Sequence, residues 1–573
     1  MIKIPKIVWL SLSLAFSIFY SCLGLQQAFS SEYIVQDDAR QHVFWMMRFI
    51  DPALFPNDFI ADYFQSVAPL AYKTIYQLAA AIGINPLFFN KILPLFIGLI
   101  TTFYCFAFSL EILPLPGTAF ISSLVLNQNL WMKDDLVSAT PRAFSYVLIL
   151  AFLYYLSRRY LVPVLIAIAL IGLIYPHCIF LAGGLLIIRL FKKKEKGFYL
   201  SQNPQDYRFC FLGLGVAFLV MLPYALSHSV FDPIITVAQA KQLPEFLPGG
   251  RTEFFSQRLD EYFIYGKRSG MFPMYPFIPL TLVSGVFLPL LLKFPSRFPL
   301  VKRIQPNIIL LPQLLFGSLG MFFIAHAFIF RLHLPNRYTA YSFRIIIALS
   351  TGITLSLILD ALLNWVAKKT ISFSRRRQVI ALSFIGLIVG AILFYPNTMK
   401  RFPITLYVEG NEPKLYEFFK QQPKDILIAS LAEDTNSNLP SFTQRSIFIG
   451  REYSIPYHWG YYRKFRQRAI ALIQTQYSSS LEEVKRFIKN HHIDFFLLDK
   501  NAFTPEYLAD NSWLQQFQPY AKQAQQRLER GNLPILANFI KDCSVFETKY
   551  RVVLSAKCIS GSTSKRMSKN QAI

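Results

Sequence analysis

Charge is what this chain has least of. Only 16% of its 573 residues are charged while 53% are hydrophobic, and the mean hydropathy is +0.36. That balance excludes a soluble protein of this length. Acidic residues are the scarcer sign, with 33 Asp and Glu against 58 Lys and Arg, a net charge of +25. Such an excess would fit nucleic-acid binding, but its placement argues against that partner. The basic residues cluster between apolar stretches: Arg158-Arg159, Arg189 with Lys192, Lys193, Lys194 and Lys196, then Lys293/Arg297/Lys302/Arg303, Lys368-Lys369 and Arg375-Arg376-Arg377. This is the positive-inside pattern of membrane proteins. Cysteine is sparse: there are six, and no spacing among them resembles a zinc site. No internal repeat stands out.

Long apolar runs are abundant. Crossing a bilayer takes about 20 residues, and spans and charges read together predict an α-helical polytopic membrane protein of about eleven transmembrane helices. Their cores lie near 7–29, 88–110, 117–131, 142–157, 160–176, 178–191, 209–229, 272–292, 308–330, 343–365 and 379–395. The spans 117–131 and 178–191 are short, and are expected to be half-buried or broken helices covered by others. Lys3 and Lys6 put the N-terminus on the cytoplasmic side of the plasma membrane, and an odd count puts the C-terminal region outside. The first apolar run is long for a signal peptide and reads as an uncleaved anchor.

The expected organisation is a transmembrane part over 1–395, an extracytoplasmic α/β domain over 396–559 and a disordered tail over 560–573. In the second part, 424–429, 446–449 and 493–498 read as buried strands. Ser480 and Glu483 form a capping box that opens a helix through Ile488. Alternating strands and helices make an α/β layer. Val545-Phe546 and Arg551–Leu554 read as the arms of a hairpin that brings Cys543 and Cys558 opposite one another for a disulfide, in a compartment where such bonds persist.

With so few acids, their positions are informative. Asp37-Asp38 follows the first span and Asp134-Asp135 lies in a short loop between two spans, both on the predicted outer face. A partly desolvated carboxylate at a membrane edge has a raised pKa and can serve as a base. The same Asp37-Asp38 pair also reads as a helix cap. The two pairs either converge around a substrate or a divalent cation, Mg²⁺ or Mn²⁺ held by Asp37, Asp38 and Asp135, or lie in separate solvated loops. His42, four residues after Asp38, shares its helix face. Arg337, with Arg344 one to two turns on, is the best candidate for binding a phosphate with a guanidinium fork, against an interfacial snorkelling role. Arg142 is a weaker candidate. Tyr175-Pro176-His177 sits at an outer tip, and the Tyr457–Tyr462 aromatics read as domain packing.

These residues resemble the GT-C superfamily of integral-membrane glycosyltransferases, notably bacterial enzymes related to protein mannosyltransferases and aminoarabinose transferases. Asp37-Asp38-Ala39 is similar to the family's first-loop acidic motif, Leu54-Phe55-Pro56-Asn57-Asp58 follows at a family-like distance, and Asp134-Asp135 takes the place of a second outer acidic site. The resemblance implies transfer of a sugar from a polyprenyl-phosphate donor to a lipid, glycan or protein acceptor of the cell envelope. It implies Asp37 as general base and Asp38 as its support, with Asp134, Asp135, Arg337, Arg344 and His42 binding substrate. The Trp-Trp-Asp-Tyr-Gly motif of oligosaccharyltransferases is absent, which argues against N-glycosylation. A lipid or polysaccharide-precursor flippase, or a non-catalytic assembly protein, is the alternative. A transporter places ionisable groups at mid-membrane, whereas these spans hold few besides His326 and Asp360.

Overall fold

The computed structural model describes residues 4–194, 197–226, 229–272, 277–367 and 375–562. A helix lies in each of the eleven apolar stretches. Among the described residues six are long and apolar enough to cross a membrane: Lys6–Ala28, Pro86–Ile112, Pro204–Leu226, Pro306–Ala327, Arg337–Val366 and Gln378–Thr398. Four more are apolar but shorter: Pro141–Ser157, Leu161–Ile174, Pro176–Ile188 and Leu280–Leu291. The stretch expected as one regular span over 272–292 is instead a 3-10 segment, Leu280–Phe287, leading into the α-turn Leu288–Leu291. Pro279 and Pro289 each withhold a backbone donor there.

The helix Pro116–Trp131 is short because it is interior. Lys6–Ala28, Pro86–Ile112 and the helix beginning at Arg337 all pack on it, and nearly all of it is buried. Its polar side chains bind inward: Asn127 Nδ2 donates to Thr102 Oγ1 at 2.8 Å and Gln128 Nε2 to the Ile392 carbonyl at 2.7 Å. Helices in an apolar solvent associate through such bonds and through small residues. Gly352 is one: a Cβ there would meet the backbone nitrogen of Ser122 at 2.8 Å.

The bundle has two distinct ends. At one, Arg158 pairs with Glu111 at 3.5 Å, and Asp206 collects Arg159 and Lys192 at 3.2 and 3.1 Å. These are basic clusters that the sequence assigns to the inner face; Lys368 and Lys369 lie outside the described residues. At the other end gather the loop after the first helix, the Asp134-Asp135 loop, Arg251 and the start of the Arg337 helix. The chain after the last membrane helix returns to this same end. Its strand Tyr407–Glu409 pairs antiparallel with Ile34–Gln36 of the first loop, so the boundary near residue 395 is bridged by a ladder.

Beyond it lies a five-stranded sheet in the order Ser446–Ile447, Leu427–Ser430, Phe495–Asp499, Arg551–Ser555, Ser544–Glu547. The first three are parallel and the last two antiparallel. Ile428, Phe496, Leu497, Val553 and Leu554 are buried on it. Ser480 caps the helix Leu481–His491 by accepting from the Glu483 amide. The Glu483 carboxylate accepts from Ser478 Oγ instead of closing the box on Ser480. Cys543 and Cys558 are bridged, with Cα atoms 5.5 Å apart. Cys558 lies in the helix Ala556–Gly561 rather than on a hairpin arm. That helix also takes up Ser560 and Gly561 of the expected disordered tail; 563–573 lie outside the described residues.

Candidate functional site

The first loop turns back after Ile34–Gln36 into the one-turn helix Ala39–His42, which sets Asp37 and Asp38 at its start. Asp38 occupies the capping position, yet its side chain makes no capping bond. It is spent on Arg142, whose Nη2 lies 2.5 Å from Asp38 Oδ2. The same nitrogen pairs with Asp134, and Arg142 Nη1 lies 3.2 Å from Asp135 Oδ1. One guanidinium thus ties the two acidic pairs together. In the sequence Arg142 is a weaker candidate than Arg337, and its closeness to Asp134-Asp135 is the signal that points to it. Lys133 adds a second cation, with its Nζ 2.9 Å from Asp135 Oδ2, and Tyr146 donates to that oxygen at 2.9 Å.

Asp37 does not join this cluster directly. It pairs with Arg40, which also reaches Glu452 at 3.2 Å and Asn438 at 3.0 Å. Glu452 binds Gln41 and Arg251 as well, the latter at 2.9 Å. Of the first acidic pair it is Asp38 that shares Arg142 with Asp134 and Asp135, while Asp37 is held by Arg40. Glu452 and Arg251 were not singled out in the sequence, where neither neighbours a recognisable motif.

Of the proposed phosphate binders, Arg337 begins the long helix and is partly exposed. Its Nη1 contacts Tyr341 Oη at 3.5 Å, and its buried Nε has no hydrogen-bond partner among the described residues. Arg344 is only 3% exposed and donates to Asn129 Oδ1 at 2.7 Å. It braces the interior and offers no open fork. His42 is half-buried, edge-on to Phe64. Asp58 of the family-like motif caps the helix Phe59–Val67 through the Ala61 amide. His177 stacks on His333 with ring centroids 4.1 Å apart. Tyr461 stacks on Tyr63 at 3.6 Å, the packing role expected of the 457–462 aromatics.

The electrostatics separate the two acids that share Arg142. Burial pushes the Asp38 carboxyl up to about 6; Arg142 opposes this, and Asp134, Asp37 and Glu452 add to it. Burial acts the same way on Asp135, but Lys133, Arg142 and Arg344 outweigh it and hold that carboxyl well below the usual range. Burial lowers Lys133 to about 8, with Asp135 opposing. Burial, with Arg142 and Arg337, lowers His42 to about 4, so its imidazole is neutral near pH 7. Asp37, Asp38 and Asp135 do not fit a Mg²⁺ or Mn²⁺ set as arranged. Arg40 holds the first and Arg142 the others, and among the described residues no three His, Cys, Asp or Glu group to hold an ion.

No family model and no curated protein sequence matches the chain. Solved structures do. The apo oligosaccharyltransferase of Archaeoglobus fulgidus superposes with a TM-score of 0.56 at 12% identity, over 91% of this chain and 73% of its own. The same archaeal enzyme, AglB, with an inhibitory peptide and a dolichol-phosphate gives 0.51 at 11% identity, over 90% and 72%. ArnT of Cupriavidus metallidurans bound to undecaprenyl phosphate scores 0.46 at 12% identity, over 97% and 99%. This chain has the fold of the GT-C glycosyltransferases.

Proposed function

We propose that the protein is an integral-membrane glycosyltransferase. It moves a sugar from a polyprenyl-phosphate donor to a lipid, glycan or protein acceptor at the outer face of the plasma membrane. In this reading the chain crosses the membrane about eleven times, with a cytoplasmic N-terminus and the sheet outside. The observation that carries it is Arg142 drawing Asp38 together with Asp134 and Asp135 near Arg337, whose Nε has no hydrogen-bond partner among the described residues. Because Asp38 shares Arg142 with the second pair while Asp37 pairs with Arg40, this reading takes Asp38 as the base and Asp37 as the residue that orders the loop.

An acceptor hydroxyl oxygen attacks the anomeric carbon of the donor. The bond from that carbon to the phosphate oxygen breaks, and polyprenyl phosphate leaves. The hydroxyl proton passes to Asp38, which at its raised pKa accepts it readily near neutral pH. The fork of Arg337 steadies the phosphate as charge builds on it. Arg344 keeps the helices in register, and neutral His42 offers a hydrogen bond without adding charge.

The test is transfer of radiolabelled sugar from a polyprenyl phosphate in membrane vesicles carrying the protein. Wild type should release free polyprenyl phosphate, which a flippase does not. Asp38→Asn should lower turnover by about 10²–10⁴-fold, the usual worth of a general base. Unimpaired transfer by this variant would refute the base assignment, and absence of any sugar transfer by wild type would refute the activity.

A further inference from the structure

The outer end holds a second basic centre besides Arg142, built on a pair of stacked imidazoles. His177 stands in the 3-10 turn Pro176–Cys178, and His333 closes the tight turn that begins at Phe330. Their rings lie 4.1 Å apart at an interplanar angle of 7°. Phe330 and His333 take positive φ, 66° and 60°, a backbone region that residues other than glycine rarely adopt. Phe330 and Leu334 are buried in a small apolar core with Phe246 and Phe254, which holds the turn in place. The stack is thus imposed by its surroundings rather than by bonds of its own. Both rings are half-buried, neither makes a hydrogen bond among the described residues, and no nitrogen of either is sealed from solvent.

The free charges around the pair are of one sign. The Arg337 fork makes one hydrogen bond, to Tyr341 Oη at 3.5 Å, and Arg268 donates to the carbonyls of Glu253 and Arg251 at 3.4 and 3.5 Å; neither pairs with a carboxylate among the described residues. His458 faces the pair from the C-terminal part, where Asp232 acts on it, and Tyr457 and Tyr175 flank the rings. Asp135 acts on Arg337 but is already held by Lys133 and Arg142. Burial, with His177, Arg337, His458 and Arg268, keeps His333 neutral, well below its ordinary 6.5. An anion on Arg337 reverses this balance. It cancels a nearby positive charge and offers oxygens that accept from the open imidazole nitrogens. One ring can then protonate, its charge steadied by the aromatic face of the other. Two protonated rings in contact would repel, so the stack takes one proton and not two.

We infer that the His177–His333 stack is the second half of the phosphate site at Arg337, and that it draws one proton from solvent when a phosphodiester binds. The inference rests on the reading of Arg337 as the donor's phosphate binder, and adds to it a residue pair and a proton stoichiometry. In the transfer step the imidazolium N–H donates to the phosphate oxygens on which charge builds as the sugar leaves.

The experiment is isothermal titration calorimetry of the full-length protein in detergent with methyl farnesyl phosphate, a diester that keeps a single negative charge at every pH used. Repeated at one pH in buffers of different ionisation enthalpy, it counts the protons taken up. Wild type should take up about one proton per diester near pH 6, and its affinity should fall as pH rises, by up to about tenfold per pH unit. His177→Phe with His333→Phe keeps two rings and removes the nitrogens. That variant should bind about tenfold more weakly, the worth of one charge-assisted contact, and take up no proton. Should it fail to fold, His177→Asn with His333→Asn, whose amides donate but do not titrate, should likewise take up none. Binding without uptake in wild type, or uptake unchanged in the folded histidine variants, overturns the inference. So does uptake that Asp38→Asn alone abolishes, which would assign the proton to that acid. Absence of any binding by wild type would overturn the phosphate site at Arg337 itself, and this inference with it.

Discussion

Arg142 is the residue on which the site turns, because one planar fork faces three carboxylates that would otherwise repel each other. Lysine carries the same charge as a single point and cannot span them. Arg142→Lys should therefore cost activity by about tenfold or more, with a measurable fall in melting temperature. Arg337→Lys should weaken donor binding and leave stability nearly unchanged, since among the described residues Arg337 forms no ion pair with a carboxylate; donor titration and thermal melts together separate the two roles. The pH dependence follows from the two groups poised near neutrality. Asp38 must be ionised to accept a proton, so activity should rise through about pH 6. Lys133 must be charged to hold Asp135, so activity should fall through about pH 8. Stability runs differently. Asp38 is raised above its ordinary 3.8, so its contribution to the fold is full below that value and is lost as pH rises through about 6. Melting temperature and kcat measured across the same pH range should diverge there. Both acidic pairs were legible in the sequence because acids are scarce and these stand at span ends. Arg142 was not ranked first because an arginine beside a span also reads as interfacial, and its role depends on three carboxylates from two distant loops.

Among elements, the apolar stretches were legible because their period and length announce them. The break over Leu280–Leu291 and the interior place of Pro116–Trp131 were set by packing, which hydropathy does not record. The strands of the C-terminal sheet were found from their buried apolar runs, and their order was not, because order is decided by crossovers. The disulfide was expected on a hairpin and instead joins Cys543 to the helix after it. With its ends 15 positions apart in sequence, opening it should cost about 3 kcal/mol in the chain-entropy model. Denaturant unfolding of a Cys543→Ser, Cys558→Ser double variant against wild type checks this. Glu452 gives the C-terminal part a hold on the first loop through Arg40 and Gln41, and on a separate loop through Arg251. Glu452→Gln should loosen Asp37 and shift the acidic limb of the pH profile downward, since Glu452 is one of the charges that raise Asp38.

At the scale of the molecule, two ends of opposite character follow from the ion pairs. A cysteine at Lys549, exposed on the C-terminal hairpin, should label in intact cells with a membrane-impermeant maleimide; one at Arg158, exposed at the other end, should label only after permeabilisation. The reverse pattern would invert the topology and remove the outward-facing site. The pairing of Ile34–Gln36 with Tyr407–Glu409 also has a consequence for how the protein is made. Gln36 donates to the Thr405 carbonyl, 369 residues further along the chain. A ribosome adds about 5–20 residues per second, so the first loop waits about 20–75 s after emerging for its partner strand. Through that interval the strand beside Asp37-Asp38 has an open edge, and Arg40 lacks Glu452. A nascent chain stalled before residue 409 would carry inserted helices and both acidic pairs but no finished site. The first loop therefore reaches its folded pairing only when synthesis is nearly complete.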